Sequence, residues 1–164
     1  MDREPAIKKV LQISMVVNDA EAYAARYNDE YGIGPWTILD FNKETTKAMY
    51  INGEKADWGI RLAFCNSLNV QLELIEPTYG ESPYMQFLRE RGPGLHHVYA
   101  ETEENFMKKM SDKGYVPFVG GEERGGRRFN YLDLGKELGL VMEFIEDPAD
   151  VELMQGRMYP PEDS

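Results

Sequence analysis

The sequence predicts an α+β fold assembled from two copies of one small unit: a strand, a helix, then several antiparallel strands. Three observations carry this prediction. The strand Leu72-Glu73-Leu74-Ile75-Glu76-Pro77 returns as Met142-Glu143-Phe144-Ile145-Glu146-Asp147-Pro148. Leu11-Gln12-Ile13 near the start is matched by His96-His97-Val98. Gln12 and His97 lie 85 positions apart and Glu73 and Glu143 lie 70 apart, as expected of two repeats whose loops differ in length.

Each element has its own signal. Val10 to Val17 is an apolar run interrupted by Gln12 and Ser14, which reads as a strand buried on both faces. Alternation puts Val10, Gln12, Ser14 and Val16 on one side. Asn18, with Glu21 three residues on, predicts a capped helix carrying Tyr23, Ala24, Tyr27 and Tyr31. Gly32 and Gly34-Pro35 end it. Trp36 to Phe41 and Thr45 to Ile51 read as strands, and Asn52-Gly53 as a turn. Gly59 to Phe64 and Asn69 to Glu76 read as a hairpin. Ser82-Pro83 starts a linking helix with Tyr84, Phe87 and Leu88 at helical spacing, and Gly92-Pro93-Gly94 stops it.

The second unit repeats the plan. Leu95 to Ala100 is its first strand, and Thr102 is the expected cap of a helix holding Phe106 and Met110 and closed by Gly114. Phe118, Phe129 to Leu132 and Leu140 to Ile145 supply the following strands. Gly120-Gly121 and Gly125-Gly126 flank a charged turn that lacks the Gly-Lys-Ser/Thr of a phosphate loop, so it reads as a hairpin from which Arg127 and Arg128 reach toward an anionic group. The chain is read as a single domain over 1–164. Module one covers about 9–77, a linker helix about 78–92, module two about 93–147, and 148–164 is an acidic, proline-containing tail, loose or laid on a partner subunit.

Composition narrows the function. The 164 residues are 42% hydrophobic and 12% aromatic, enough for a packed core and unlike a disordered chain. No apolar run approaches the roughly 20 residues of a membrane helix, and Met1 to Pro5 carry no apolar signal segment, so the cytoplasm is the expected location. The single cysteine, Cys65, excludes an internal disulfide framework and sits in an apolar run as a core residue. A net charge of −11 argues against nucleic acid or an anionic membrane as partner.

The repeated strands also hold the candidate site. A lone carboxylate inside an apolar strand is costly to bury and needs a partner. In Val141 to Glu146 neither alternating face is polar throughout, so Glu143 is not explained as a solvent-facing residue. If the two units pair about a pseudo-twofold axis, Gln12, Glu73, His97 and Glu143 converge. An imidazole, two carboxylates and an amide oxygen suit one divalent metal ion, with mixed N and O donors favouring Zn, Co, Ni or Mn over Mg or Ca. Trp36, Tyr50 and Trp58 are candidate pocket walls.

Gly92-Pro93-Gly94-Leu95-His96-His97, Leu72 to Pro77 and Val141 to Glu146 together resemble the vicinal oxygen chelate superfamily, the glyoxalase, epimerase and extradiol-dioxygenase fold, over about Lys9 to Asp147. The resemblance is strongest to methylmalonyl-CoA epimerase and its glyoxalase-type relatives. It implies two βαβββ modules whose curved sheets form a cup around a metal, with ligands at Gln12, Glu73, His97 and Glu143. It also implies a homodimer. Gln12 stands where epimerases usually have His, and a Gln-Glu-His-Glu set is similar to that of some glyoxalase I enzymes. The same Gln12 counts against an extradiol dioxygenase, and the complete ligand set counts against a metal-free binding or sequestering protein. Of the His-Pro-Lys-Ser/Thr-like turn of acyl-CoA epimerases, Leu132 to Gly139 keeps only Lys136 and a glycine. Asp57, just before Gly59, matches the second base of epimerases.

The expected activity is therefore an isomerase, epimerase or glyoxalase-type lyase acting on a small carbonyl substrate. The metal would stabilise an enediolate, Glu143 would take the proton beside the carbonyl, and Glu73 or Asp57 would act on the opposite face.

Overall fold

The computed structural model describes residues 3–162. Expectations placed on Met1, Asp2, Asp163 and Ser164 lie outside the described residues. In chain order the elements are β1 (Ile7–Val16), α1 (Ala20–Tyr31), β2 (Trp36–Phe41), β3 (Thr46–Ile51), β4 (Glu54–Lys55), β5 (Gly59–Cys65), β6 (Gln71–Tyr79), α2 (Pro83–Arg91), β7 (Gly94–Thr102), α3 (Phe106–Asp112), β8 (Val119–Glu123), β9 (Arg128–Leu134), α4 (Gly135–Leu138), β10 (Leu140–Glu146) and β11 (Arg157–Tyr159). The strands form one mixed sheet in the order β11-β2-β5-β6-β1-β7-β10-β9-β8-β3-β4.

The repeat is visible in that order. The block β2-β5-β6-β1 and the block β7-β10-β9-β8 have the same plan about an antiparallel seam between β1 and β7. In each block the first strand lies parallel to the last, β1 to β6 and β7 to β10, and the other neighbours are antiparallel.

Two strands leave their own half. β3, which with β4 forms a hairpin through Asn52 (φ 51°) and Gly53 (φ 78°), pairs not with β2 but with β8 of the second block. At the other edge β11 pairs with β2 of the first block. The residues expected to be a loose tail thus cover a sheet edge, which would otherwise expose unpaired backbone groups. Between Asp147 and β11 the chain passes over the mouth of the cup as a strap. The Glu152 amide donates to the Gly125 carbonyl at 2.9 Å, and Met154 packs on the cup's apolar interior. Gly125 permits this approach, since a Cβ there would overlap the Glu152 carbonyl oxygen.

Both faces of the sheet are buried, which explains strands without a polar side. On the outer face α1 covers the first block through Ala20, Ala24, Trp36, Ala63, Cys65, Leu72 and Leu74. There α3 covers the second block through Phe106, Met110, Leu132 and Met142. On the inner face Phe41, Ile60, Leu62, Ile75, Phe129 and Tyr131 pack with Trp58 and with Tyr84 of α2. Leu72, Leu74 and Met142 therefore point outward, and Glu73 and Glu143, one residue out of phase, point into the cup.

The helix starts differ in detail from those expected. Asp19, not Asn18, caps α1, accepting from the Ala22 amide, while the Glu76 carboxylate accepts from the Ala20 amide and ties α1 to β6. Thr102 is the last residue of β7, held there by pairing with Ile7, and α3 begins at Phe106. The Ser82 cap with Pro83 in the first turn of α2, and the Gly32 stop after α1, are as expected. No helix among the described residues is long and apolar enough to cross a membrane.

Candidate metal centre

Strand register brings the candidate residues together. Ser14 on β1 lies opposite Glu73 on β6 and opposite His97 on β7. Two residues along, Gln12 lies opposite Tyr99, which in turn lies opposite Glu143 on β10. The rows Glu73–Ser14–His97 and Gln12–Tyr99–Glu143 are exchanged by the pseudo-twofold, with Gln12 matching His97, Ser14 matching Tyr99 and Glu73 matching Glu143. Because Ser14 faces His97 and Met15 faces Leu95, His96 is an extra residue on β7. Such a bulge re-aims neighbouring side chains.

Glu73, His97 and Glu143 meet. His97 Nε2 lies 3.6 Å from Glu73 Oε2 and 3.5 Å from Glu143 Oε2. One donor atom from each falls within 4.8 Å of the others, and all three residues are buried. Gln12 is buried against the same cavity, but its amide oxygen accepts from Ser14 Oγ at 3.1 Å and its nitrogen donates to Gln71. The Ser14 hydroxyl also bonds Glu73, so one hydroxyl joins two candidate ligands. Asp57 is not part of this group. Its carboxylate accepts from the Tyr79 hydroxyl at 2.9 Å and faces Lys43 at 3.5 Å, on an exposed surface between β4 and β5.

Burial dominates the electrostatics of the group. Burial pushes Glu143 up to about 8, opposed in part by the Arg127 charge. Burial and then the Glu143 charge push Glu73 up to about 7, opposed by His97 and the Ser14 hydrogen bond. Burial pushes His97 down to about 4, leaving a neutral imidazole at pH 7. His97 Nε2 is buried and has no hydrogen-bond partner among the described residues, an uncommon state for such an atom. Its Nδ1 lies 2.9 Å from His96 Nδ1, and His96 is held neutral, its pKa lowered to about 3, chiefly by burial. With the proton on His97 Nδ1 donated to His96, the Nε2 lone pair faces the two carboxylates. A ligating imidazole oriented through its other nitrogen is the usual arrangement at metal sites. The donor set therefore fits a divalent ion.

Above the group lies a cavity of about 420 Å³. Leu39, Phe41, Phe64, Phe129, Ile145 and the strap residue Met154 supply apolar walls, and Tyr84, Tyr99, Tyr131 and Glu123 supply polar ones. Arg127 lines it but is held by Asp147 through two hydrogen bonds of 2.7 Å. Arg128 instead faces Glu146 at 3.6 Å outside it. The expected pocket walls Trp36 and Trp58 are core residues, Trp36 beneath α1 and Trp58 stacked on Phe41, and neither these nor Tyr50 lines the cavity.

The sequence profile of the Glyoxalase/Bleomycin resistance protein/Dioxygenase superfamily matches residues 11–131. The chain belongs to this superfamily. The Bacillus subtilis (strain 168) uncharacterized protein YqjC is 26% identical over 131 residues, 74% of this chain and 93% of that protein. Among solved structures, methylmalonyl-CoA epimerase from Mycobacterium tuberculosis is similar with a TM-score of 0.63 at 17% identity, over 90% of this chain and 93% of that one. Hypothetical protein BH1468 from Bacillus halodurans C-125 gives 0.63 at 19% identity, over 88% and 98%. A Streptomyces coelicolor methylmalonyl-CoA epimerase in complex with 2-nitronate-propionyl-CoA gives 0.60 at 21% identity, over 90% and 99%. At these identities the likeness is one of fold.

Within the superfamily fold, several residues at the centre escape sequence reasoning. Ser14 shares a face with Gln12, a signal the alternation already carried. His96 joins the site only through the bulge. Tyr84 and Tyr131 need the register of β9 on β10 and the seating of α2, which no local pattern shows.

Proposed function

We propose that this chain is a metal-dependent isomerase or epimerase, or a glyoxalase-type lyase, that moves a proton on the carbon beside a carbonyl. The observation that carries the reading is the buried Glu73–His97–Glu143 group at the base of a cavity with both apolar and polar walls. Glu73, His97 and Glu143, with the Gln12 amide oxygen once freed from Ser14, are the donors for one Zn, Co, Ni or Mn ion. Such an ion supplies Lewis acidity at a carbonyl oxygen when bound. The epimerase neighbours support the choice of reaction class.

Glu143 takes the α-proton: its carboxylate stands within the Glu73–His97–Glu143 group, beside the place where the carbonyl oxygen would be held. Glu73 stands on the other side of His97 and returns a proton to the opposite face, which gives epimerisation. Return by Glu143 itself gives isomerisation or the glyoxalase-type outcome. Leu39, Phe41, Phe129 and the strap residue Met154 line part of the cavity, and where they do, fewer waters compete with the carboxylates for the proton. The cavity suits a small carbonyl compound or the acyl end of a larger one. By likeness to the superfamily we propose a cytoplasmic homodimer, with modules over about 9–77 and 93–147.

Metal analysis of untreated protein, followed by solvent deuterium exchange into a panel of acyl-CoA, hemithioacetal and keto-sugar compounds, tests the reading. One bound ion per chain and exchange that chelator removes are expected. Ligand binding that ignores chelator, in protein without metal, would make the chain a sequestering protein instead.

A further inference from the structure

Two phenols at the cavity carry an inference that rests on the proton-abstraction chemistry just proposed. Tyr84, from the first turn of α2, and Tyr131, from β9, are 1% and 3% exposed. Both line the cavity beside Glu73 and Glu143. Tyr131 is the direct cross-strand partner of Glu143, and its ring centroid lies 4.4 Å from that of His97. The Tyr84 hydroxyl donates to the Tyr131 hydroxyl at 2.8 Å.

Counting protons makes the point. Two phenols hold two protons, and the bond between them uses one. Neither hydroxyl has another partner among the described residues, so with Tyr84 donating, the Tyr131 proton has no acceptor among them. Buried donors in folded proteins are nearly always paired. The acceptor must therefore be something that fills the cavity. An ordinary phenol keeps its proton near neutral pH. The hydrogen bond from Tyr84 polarises the Tyr131 hydroxyl and makes it a stronger donor.

We infer that Tyr131, backed by Tyr84, is the hydrogen-bond donor to the substrate oxygen on which negative charge develops as Glu143 removes the α-proton. The C–H electron pair passes into the carbonyl, the proton goes to the Glu143 carboxylate, and the Tyr131 proton stays on the phenol. A donor aimed at developing charge stabilises the transition state more than the ground state.

Binding to Co(II)-loaded protein, followed by the visible spectrum, tests this without relying on turnover. Acetohydroxamate serves as the anionic enolate mimic and hydroxyacetone as the uncharged comparison. Tyr131→Phe is expected to weaken acetohydroxamate roughly ten- to hundredfold, as for loss of a hydrogen bond to a charged group. Tyr84→Phe should weaken it by a smaller factor, and neither variant should alter Co(II) affinity or hydroxyacetone binding. Equal acetohydroxamate affinity in wild type and Tyr131→Phe would overturn the inference and leave the proposed function standing. Equal weakening of both ligands, or loss of Co(II), would mark Tyr131 as structural and also overturn it. Failure of wild type to bind Co(II), or of its Co(II) form to bind acetohydroxamate, would overturn the proposed function and the inference with it.

Discussion

Replacing Glu143 with Gln keeps the shape of the side chain and removes a buried negative charge. In the folded, metal-free chain burial holds this carboxyl up to about 8, against an ordinary value of 4.5. Below the ordinary value both folded and unfolded chains are protonated, and the carboxyl costs nothing. Between the two values the unfolded chain has lost the proton that the folded chain retains. Stability therefore falls as pH rises from about 5 to about 8 and then levels off. One pKa unit corresponds to about 1.4 kcal/mol, and because Glu73 shares the strain, Glu143→Gln should recover about 3 kcal/mol of it. For a chain of this size that is roughly 6–12 °C in Tm. Thermal melts of chelator-treated wild type and Glu143→Gln at pH 4.5 and 8.5 measure it. The variant should be the more stable at pH 8.5 and equal to wild type at pH 4.5. Added divalent metal should reverse the order, because wild type, with two anionic ligands, binds it more tightly than the variant with one. The same gain at both pH values, or none, would refute the claim that a buried unpaired carboxylate is the source of strain.

Other perturbations test neighbouring parts of the account. Ser14→Ala removes the hydroxyl shared by Gln12 and Glu73 and should lower metal affinity roughly 10- to 100-fold by calorimetry, with unchanged affinity contradicting a supporting role. Asp57→Asn should leave deuterium exchange within about twofold of wild type, since a base must reach the proton it takes; a loss of a hundredfold or more would return Asp57 to the mechanism. Gly125→Ala forces the strap away from its seat and should cost about 1–3 kcal/mol in urea melts. The same variant should speed proteolytic removal of 148–164, and a chain that is cut no faster would show that the strap is not held there.

How much of this could be read in advance depended on whether a signal was local. Glu73 and Glu143 stand out because a carboxylate in an apolar strand is conspicuous, and their repetition exposed the internal duplication. His97 and Gln12 followed from the same repeat. The exchange of β3 and β11 between the halves was not legible, because Thr46–Ile51 has the pattern of a strand at whichever edge it pairs. The tail carries no pattern strong enough to predict β11. Trp36 and Trp58 were poor guides to the pocket, because a large aromatic side chain serves either face of a two-sided sheet. Asn18 and Thr102 were plausible caps by residue type, but Asp19 was better placed to accept from Ala22, and the β1–β7 ladder held Thr102 in a strand. Asp57 matched its assigned place by spacing alone, and the chain carries it outside the cup.

The account stands on Glu73, His97 and Glu143, with Gln12 beside them, being the donors for one cation. A crystal of the untreated or Co(II)-loaded protein, with anomalous scattering recorded at the metal edge, addresses this directly. A single strong peak bonded to His97 Nε2 and to both carboxylates is predicted. A map without a peak there, from protein that metal analysis shows to be loaded, would contradict it.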